Sequence, residues 1–177
     1  ILSISEGFAM RLWNLNGDLL QILKSNGLTE DADFSPDGNH IVSAHNIGTV
    51  RLWNIHNAKK MLLKGHAGYV WTANFSPDGE HIITASWDNT ARLWDKNGKL
   101  LQVLSGHNEK VYHAGFSPDG ENIFTSSNDN TVRIWNLYGR LLIKLKGHTG
   151  KIYKPDFYPD GNFLITPSAD GTARIWD

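Results

Sequence analysis

The five residues Phe34-Ser35-Pro36-Asp37-Gly38 return at 75–79 and 116–120 and, with Tyr158 in place of the serine, at 157–161. The phenylalanines stand 41 residues apart each time (75 − 34, 116 − 75 and 157 − 116). A fixed period of this length restricts the chain to repeat architectures, in which one supersecondary unit is copied and stacked.

Within the period from Gly65 to Ser105, turn residues separate four short runs of β-branched or alternating residues, near Val70–Ser76, His81–Ser86, Thr90–Asp95 and Leu100–Ser105. No run supports a long helix. In Ser76-Pro77-Asp78-Gly79 the proline pre-sets the backbone for a turn, the aspartate can bond its own backbone and the glycine accepts a positive φ. Each period therefore needs this corner between its first two strands. The second turn, Asp88-Asn89-Thr90, and the third, Asn97-Gly98, also use residues that tolerate left-handed conformations, and Asn16-Gly17 and Tyr138-Gly139 repeat the third. A four-stranded antiparallel sheet that is apolar on both faces cannot bury itself alone, so neighbouring copies stack on it. The fold class that follows is all-β: a β-propeller of four-stranded antiparallel blades, present in part. The blades divide as 1–24 (partial), 25–64, 65–105, 106–146 and 147–177 (partial).

Composition narrows the function. With 40% hydrophobic residues in 177, the chain can build a core, and its formal net charge of −1 gives no overall pull toward nucleic acid or an anionic membrane. Zero cysteines exclude a disulfide framework and cysteine-ligated metal, and fit a reducing, cytoplasmic setting. No apolar run approaches the roughly 20 residues that span a bilayer, and no signal-peptide pattern opens the chain. The chain starts at Ile1 without methionine and stops at Asp177 inside a repeat, so the natural termini are expected to lie elsewhere.

Gly65-His66, Gly106-His107 and Gly147-His148 each precede a strand; Trp94-Asp95 and Trp176-Asp177 each end one, as Trp-Asn does at 13, 53 and 135. By these residues the whole chain resembles the WD-repeat β-propellers, and its Leu-Leu run after the third turn is similar to that of bacterial members. The resemblance implies a buried hydrogen-bond network in each blade: His66, Ser86, Asp88 and Trp94; His107, Ser127, Asp129 and Trp135; His148, Ser168, Asp170 and Trp176. A serine, a histidine and an aspartate together also compose a hydrolase triad. A catalytic site occurs once, however, whereas this set recurs every 41 residues, so the sequence assigns it to the scaffold. In the unit ending at Trp53, Ser25-Asn26 stands for Gly-His, His45 for the serine and Ile47 for the aspartate, so that unit is expected to lack the network. The first unit keeps Ser5 and Trp13 but has Gly7 for the aspartate.

One histidine per blade points to different places around a ring, which argues against a metal site, and Gly147-His148-Thr149-Gly150-Lys151 lacks the pattern of a phosphate-binding loop. Neither metal nor cofactor is expected. Arg11, Arg51, Arg92, Arg133 and Arg174 each stand two residues before a repeat tryptophan, on the same strand face, where guanidinium and indole can stack.

Function is expected where the copies disagree. The resemblance implies that partners bind at the face where inner-strand ends and the turns after second strands meet. Those positions are Leu28, Glu30 and Asn46; Tyr69, Trp71 and Trp87; Lys110, Tyr112 and Asn128; Lys151, Tyr153 and Ala169. Aromatic rings beside cations are common at binding hot spots. The reading is a non-catalytic scaffold, part of a larger protein, that binds a protein or peptide and neither nucleic acid nor membrane. An enzyme acting at the channel mouth, and a structural fragment that associates with its missing blades or another copy, are the alternatives. For the second, the end faces carrying Leu12 and Leu15, and Phe163 and Ile165, are expected to lie uncovered, because the resemblance implies a ring of about seven blades.

Overall fold

The computed structural model describes residues 1–4, 8–57 and 59–177. They form five antiparallel sheets, each from consecutive strands. The first holds β1 (Leu2–Ile4), β2 (Ala9–Trp13) and β3 (Leu19–Lys24); the second β4 (Thr29–Phe34), β5 (His40–His45), β6 (Val50–Asn54) and β7 (Lys60–Leu63). The third holds β8 (Val70–Phe75), β9 (His81–Ser86), β10 (Ala91–Asp95) and β11 (Leu100–Leu104), and the fourth β12 (Val111–Phe116), β13 (Asn122–Ser127), β14 (Thr131–Asn136) and β15 (Leu141–Lys146). The fifth holds β16 (Asp156–Phe157), β17 (Leu164–Pro167) and β18 (Ala173–Trp176). The sheets are propeller blades in chain order and do not close into a ring.

The corner sequence makes its turn as its residues dictate. The Ser76 N–H donates to the His81 carbonyl, and the Ser76 carbonyl accepts from the N–H of Gly79, whose φ is +74°. The Ser76 hydroxyl donates to Asp78 Oδ1 at 2.5 Å and accepts from the His81 N–H at 2.9 Å. Successive corners also touch: a Cβ on Gly79 would lie 3.3 Å from Pro36 Cδ, and one on Gly120 3.6 Å from Pro77 Cδ. At the third turn the residue after each tryptophan is the cap. Asp95 Oδ1 accepts from the N–H groups of Asn97 and Lys99, and Asn136 Oδ1 from those of Tyr138 and Arg140. Either residue type offers that oxygen, so Asp and Asn interchange here.

Every apolar cluster lies between two blades. Met10 and Leu23 pack with Ile41 and Trp53; Val42, Leu52 and Leu63 with Val70, Phe75, Ile82 and Trp94; Ile83, Leu93 and Leu104 with Val111, Ile123 and Trp135; Phe124 and Val132 with Ile152 and Leu164. Adjacent Ile82 and Ile83 thus serve opposite seams, as period-two geometry requires. Leu12, expected on an uncovered face, is instead buried, because it shares the face of Met10 that packs on the second blade. Ile175 is 70% exposed and Phe163 39% exposed on the last blade, and Phe8 58% on the first.

Side chains on the inner strands stitch the seams. Asp31 and Asp33 on β4 accept from the N–H groups of Ala73 and Phe75 on β8, and Thr72 accepts from that of Ala114 on β12. The next position in the series is His113, and the residue facing it by the period is Pro155, which has no N–H. His113 Nδ1 is buried without a hydrogen-bond partner. Pro155 on the inner strand and Pro167 on β17 also explain why β16 is only two residues long.

The arginines do more than stack. Arg133 Cζ lies 5.9 Å from the Trp135 ring centroid, but its Nη2 donates to the Gly106 carbonyl at 2.6 Å. A Cβ on Gly106, whose φ is +138°, would lie 2.3 Å from Arg133 Nη1. Gly65 and Gly147 meet Arg92 and Arg174 in the same way, so the glycine of each Gly-His pair makes room for a guanidinium. Gly106→Ala is expected to cost on the order of 1–3 kcal/mol of stability, and less in an Arg133→Ala background. A thermal-unfolding double-mutant cycle checks this: equal costs in both backgrounds remove the steric argument.

Candidate functional site

The Ser-His-Asp constellation assembles with a different hydroxyl. His66 Nδ1 lies 2.8 Å from Asp88 Oδ2 and its Nε2 2.8 Å from Thr84 Oγ1, which also accepts from Trp94 Nε1 at 3.0 Å. Thr125 links His107 to Trp135, and Thr166 links His148 to Trp176, with Asp129 and Asp170 on the far nitrogens. The serines assigned from the sequence are therefore corrected. Residues 84 and 86 share a strand face, but only the earlier one lies level with the indole. Ser86 Oγ instead donates to the Gly68 carbonyl and accepts from the Asp88 N–H, and Ser127 and Ser168 repeat this clamp.

The three threonines have no exposure, and each hydroxyl already engages an indole and an imidazole. A substrate has no approach to them. Burial pushes the Asp129 carboxyl up, but the His107 and Thr131 hydrogen bonds overcome it and hold the group well below the usual carboxylate range. Burial outweighs Asp129 on the ring side and lowers His107.

The second blade keeps a relay where none was expected. Alignment by the 41-residue period sets Lys24 against Gly65 and Ser25 against His66, one residue earlier than the sequence reading had placed them. His45 supplies the imidazole from β5 itself: its Nε2 lies 2.9 Å from Ser43 Oγ, which accepts from Trp53 Nε1 at 2.8 Å. Its Nδ1 lies 3.3 Å from Thr29 Oγ1. Burial, then the Arg51 charge, pushes His45 down to about 4. Ile47 is exposed and takes no part. In the first blade Trp13 Nε1 donates to Ser3 Oγ, while Ser5 and Gly7 lie outside the described residues.

The face where the copies disagree has a backbone cause. Each of the first three complete inner strands slips register once: between Thr29 and Asp31, Val70 and Thr72, and Val111 and His113. The residues at the slips are Glu30, Trp71 and Tyr112. A bulge leaves its residue unpaired and re-aims the side chain. Around these bulges Tyr69 stacks on Trp87 at 4.5 Å and 17°, Trp71 on Tyr69 at 5.6 Å, and Tyr112 meets Trp71 edge-on at 5.6 Å and 72°. Lys110 Nζ stands 3.8 Å from the Trp87 centroid, and Lys151 Nζ 5.3 Å from that of Tyr112 and 4.9 Å from that of Tyr153. Burial, then the Glu30 carboxylate to which it bonds, pushes the Tyr69 hydroxyl up to about 12.

Of the other expected positions, Leu28 and Asn46 bond to each other through Leu28 N–H and Asn46 Oδ1. The backbone N–H groups of Asn128 and Ala169 donate to the carbonyls of Lys110 and Lys151. A pocket of about 270 Å³ opens among Trp71, Trp87, Tyr112, Lys151 and Tyr153. A second cleft of about 310 Å³ is lined by Glu30, Asp31, Asp33, Trp71, His113 and Lys154, among others. Burial raises both Asp31 and Asp33, against the N–H bonds they accept, and burial with Lys154 pushes His113 down to about 4. The sequence reading missed Asp31, Asp33, His113 and Lys154 although its own criterion reached them: position 31 of the period reads Asp, Thr, His and Lys in successive copies, and position 33 Asp, Asn, Gly and Asp.

Compared with described protein families, the chain matches the one described as IFT122 first beta-propeller, over residues 1–177. No curated protein matches it. Among the described residues, no helix is long and apolar enough to cross a membrane.

Thr125→Val keeps the shape but strands His107 and Trp135, so it is expected to cost about 1–3 kcal/mol in denaturant unfolding. An unchanged midpoint would remove Thr125 from the relay. For His45, a folded value near 4 against about 6.5 unfolded means its stabilisation is complete above pH 6.5 and declines as pH falls toward 4. Melting temperature should accordingly fall less steeply across that window in His45→Gln; identical slopes would contradict it.

Proposed function

The chain belongs to the family of the IFT122 first β-propeller, and from that premise we propose that it is a non-catalytic scaffold holding a protein or peptide at the channel mouth, within a larger protein. The observation that carries this reading is the repeated bulge. Glu30, Trp71 and Tyr112 are turned out of three successive inner strands toward one mouth, where stacked rings and two lysines gather. Large aromatic side chains with few rotatable bonds bury contact area at low entropic cost, which is why they dominate hot spots. The sealed threonine hydroxyls favour this reading over hydrolysis. The exposed Phe163 and Ile175 suit further blades or another copy, and the absence of cysteine suits the cytoplasm.

Site-specific photo-crosslinking tests it on the full chain, with benzoylphenylalanine placed at Asn128 on the mouth or at Lys99 on the outer turn. A partner should be captured from Asn128 alone. Capture should drop about ten-fold or more when Trp71 and Tyr112 are both changed to alanine. Equal capture from Lys99, or capture indifferent to the double change, would overturn the assignment.

A further inference from the structure

The charge of this mouth is divided, and the division names a partner class; the argument rests on the platform reading above. On one side Glu30 is engaged by the Tyr69 hydroxyl, with Asp31 and Asp33 beside it in the larger cleft. On the other side stand Lys110 and Lys151. Among the described residues, neither ammonium is paired with a carboxylate. Each is held over aromatic rings instead, at 3.8 Å for Lys110 and 4.9–5.3 Å for Lys151. A ring positions a cation without neutralising it, so both full charges remain on offer. The pocket of about 270 Å³ lies beside them, bordered by Tyr153, which is 46% exposed.

We propose that this half of the mouth receives an acidic peptide segment: a carboxylate set against Lys110 and Lys151, and a neighbouring apolar or aromatic side chain in the pocket beside Tyr112 and Tyr153. A single-stranded nucleic acid also combines cations with rings. Here the Tyr69 and Trp87 faces are spent on each other and the lysines cap the rest, which leaves little face for a base. The carboxylates across the mouth repel a polyanion, whereas one or two acidic side chains reach only the lysines. The same arrangement disfavours a cationic peptide on the lysine side.

Selection of a random heptapeptide phage library on the immobilised full chain, followed by fluorescence titration of the enriched peptides, tests the inference. The enriched peptides should carry Asp or Glu next to an apolar or aromatic residue, well above their frequency in the starting library. Glu→Gln in the peptide, or Lys110→Glu with Lys151→Glu in the chain, should each weaken binding about ten-fold or more, and added salt should weaken it too. Unchanged melting temperature certifies the fold of each variant, and Lys146→Glu on the outer strand should leave binding intact. Peptides without acidic bias that still need Trp71 and Tyr112 would overturn the charge assignment and leave the platform standing. Peptides indifferent to Trp71→Ala would sink both. An empty selection, or tighter lysine-dependent binding of a fifteen-nucleotide oligo-dT, would also overturn the proposal.

Discussion

The structure depends on apolar burial between neighbouring sheets. Each of the four hydrophobic clusters draws its residues from two blades, and none belongs to one blade alone. A single blade has two greasy faces and no interior. Strand sequences such as Ile82-Ile83 and Ile41-Val42 are apolar in succession for that reason, in contrast to the alternation of a sheet with one wet face. Stability therefore accumulates with each added neighbour, as in a one-dimensional stack. The mouth residues inherit their rigidity from this arrangement, since Trp71 and Tyr112 project from strands whose flanking positions are locked into two seams.

Within each blade the constant requirement is the indole N–H. Buried in the three complete blades and partly buried in the first and last, it needs an acceptor, and in all five it finds a hydroxyl ten residues earlier: Ser3, Ser43, Thr84, Thr125 or Thr166. What lies behind the hydroxyl varies. Three blades bring a histidine from the preceding loop and an aspartate from the following turn, while the second bends His45 back along its own strand. Both arrangements satisfy the same group, which is why the loss of three motif residues at once does not leave the tryptophan stranded.

Turn chemistry and the 41-residue period made the blades readable, because Pro, Asp and Gly at fixed offsets admit few conformations. The boundaries of the strands around Val70–Phe75 and His81–Ser86 follow directly. The choice between Thr84 and Ser86 was not readable, because residues two apart occupy one face and only the register with Trp94 separates them. Leu12 was assigned to the wrong side for a related reason: alternation says that two faces exist, not which neighbour each one meets. The bulges at Trp71 and Tyr112 arise from backbone pairing across strands, which no local run of residues encodes. Asp31 and His113 were visible as disagreement between copies, but that they share a cleft with Glu30 and Trp71 follows from the packing of adjacent blades, which such disagreement does not encode.

The proline at 155 alters more than the length of one strand. At the second and third seams an inner-strand side chain grips the backbone of the following blade, and at the fourth the corresponding atom, His113 Nδ1, meets a residue with no N–H to offer. Across that joint the Ser126 hydroxyl donates instead to the Tyr153 carbonyl at 3.2 Å, while Phe124 packs against Phe157 at 5.8 Å. The fourth joint is thereby stitched from a different strand: the rim that carries Lys151 and Tyr153 is anchored through Ser126 on the second strand of the fourth blade, a grip that the alanines at the equivalent positions 44 and 85 cannot make.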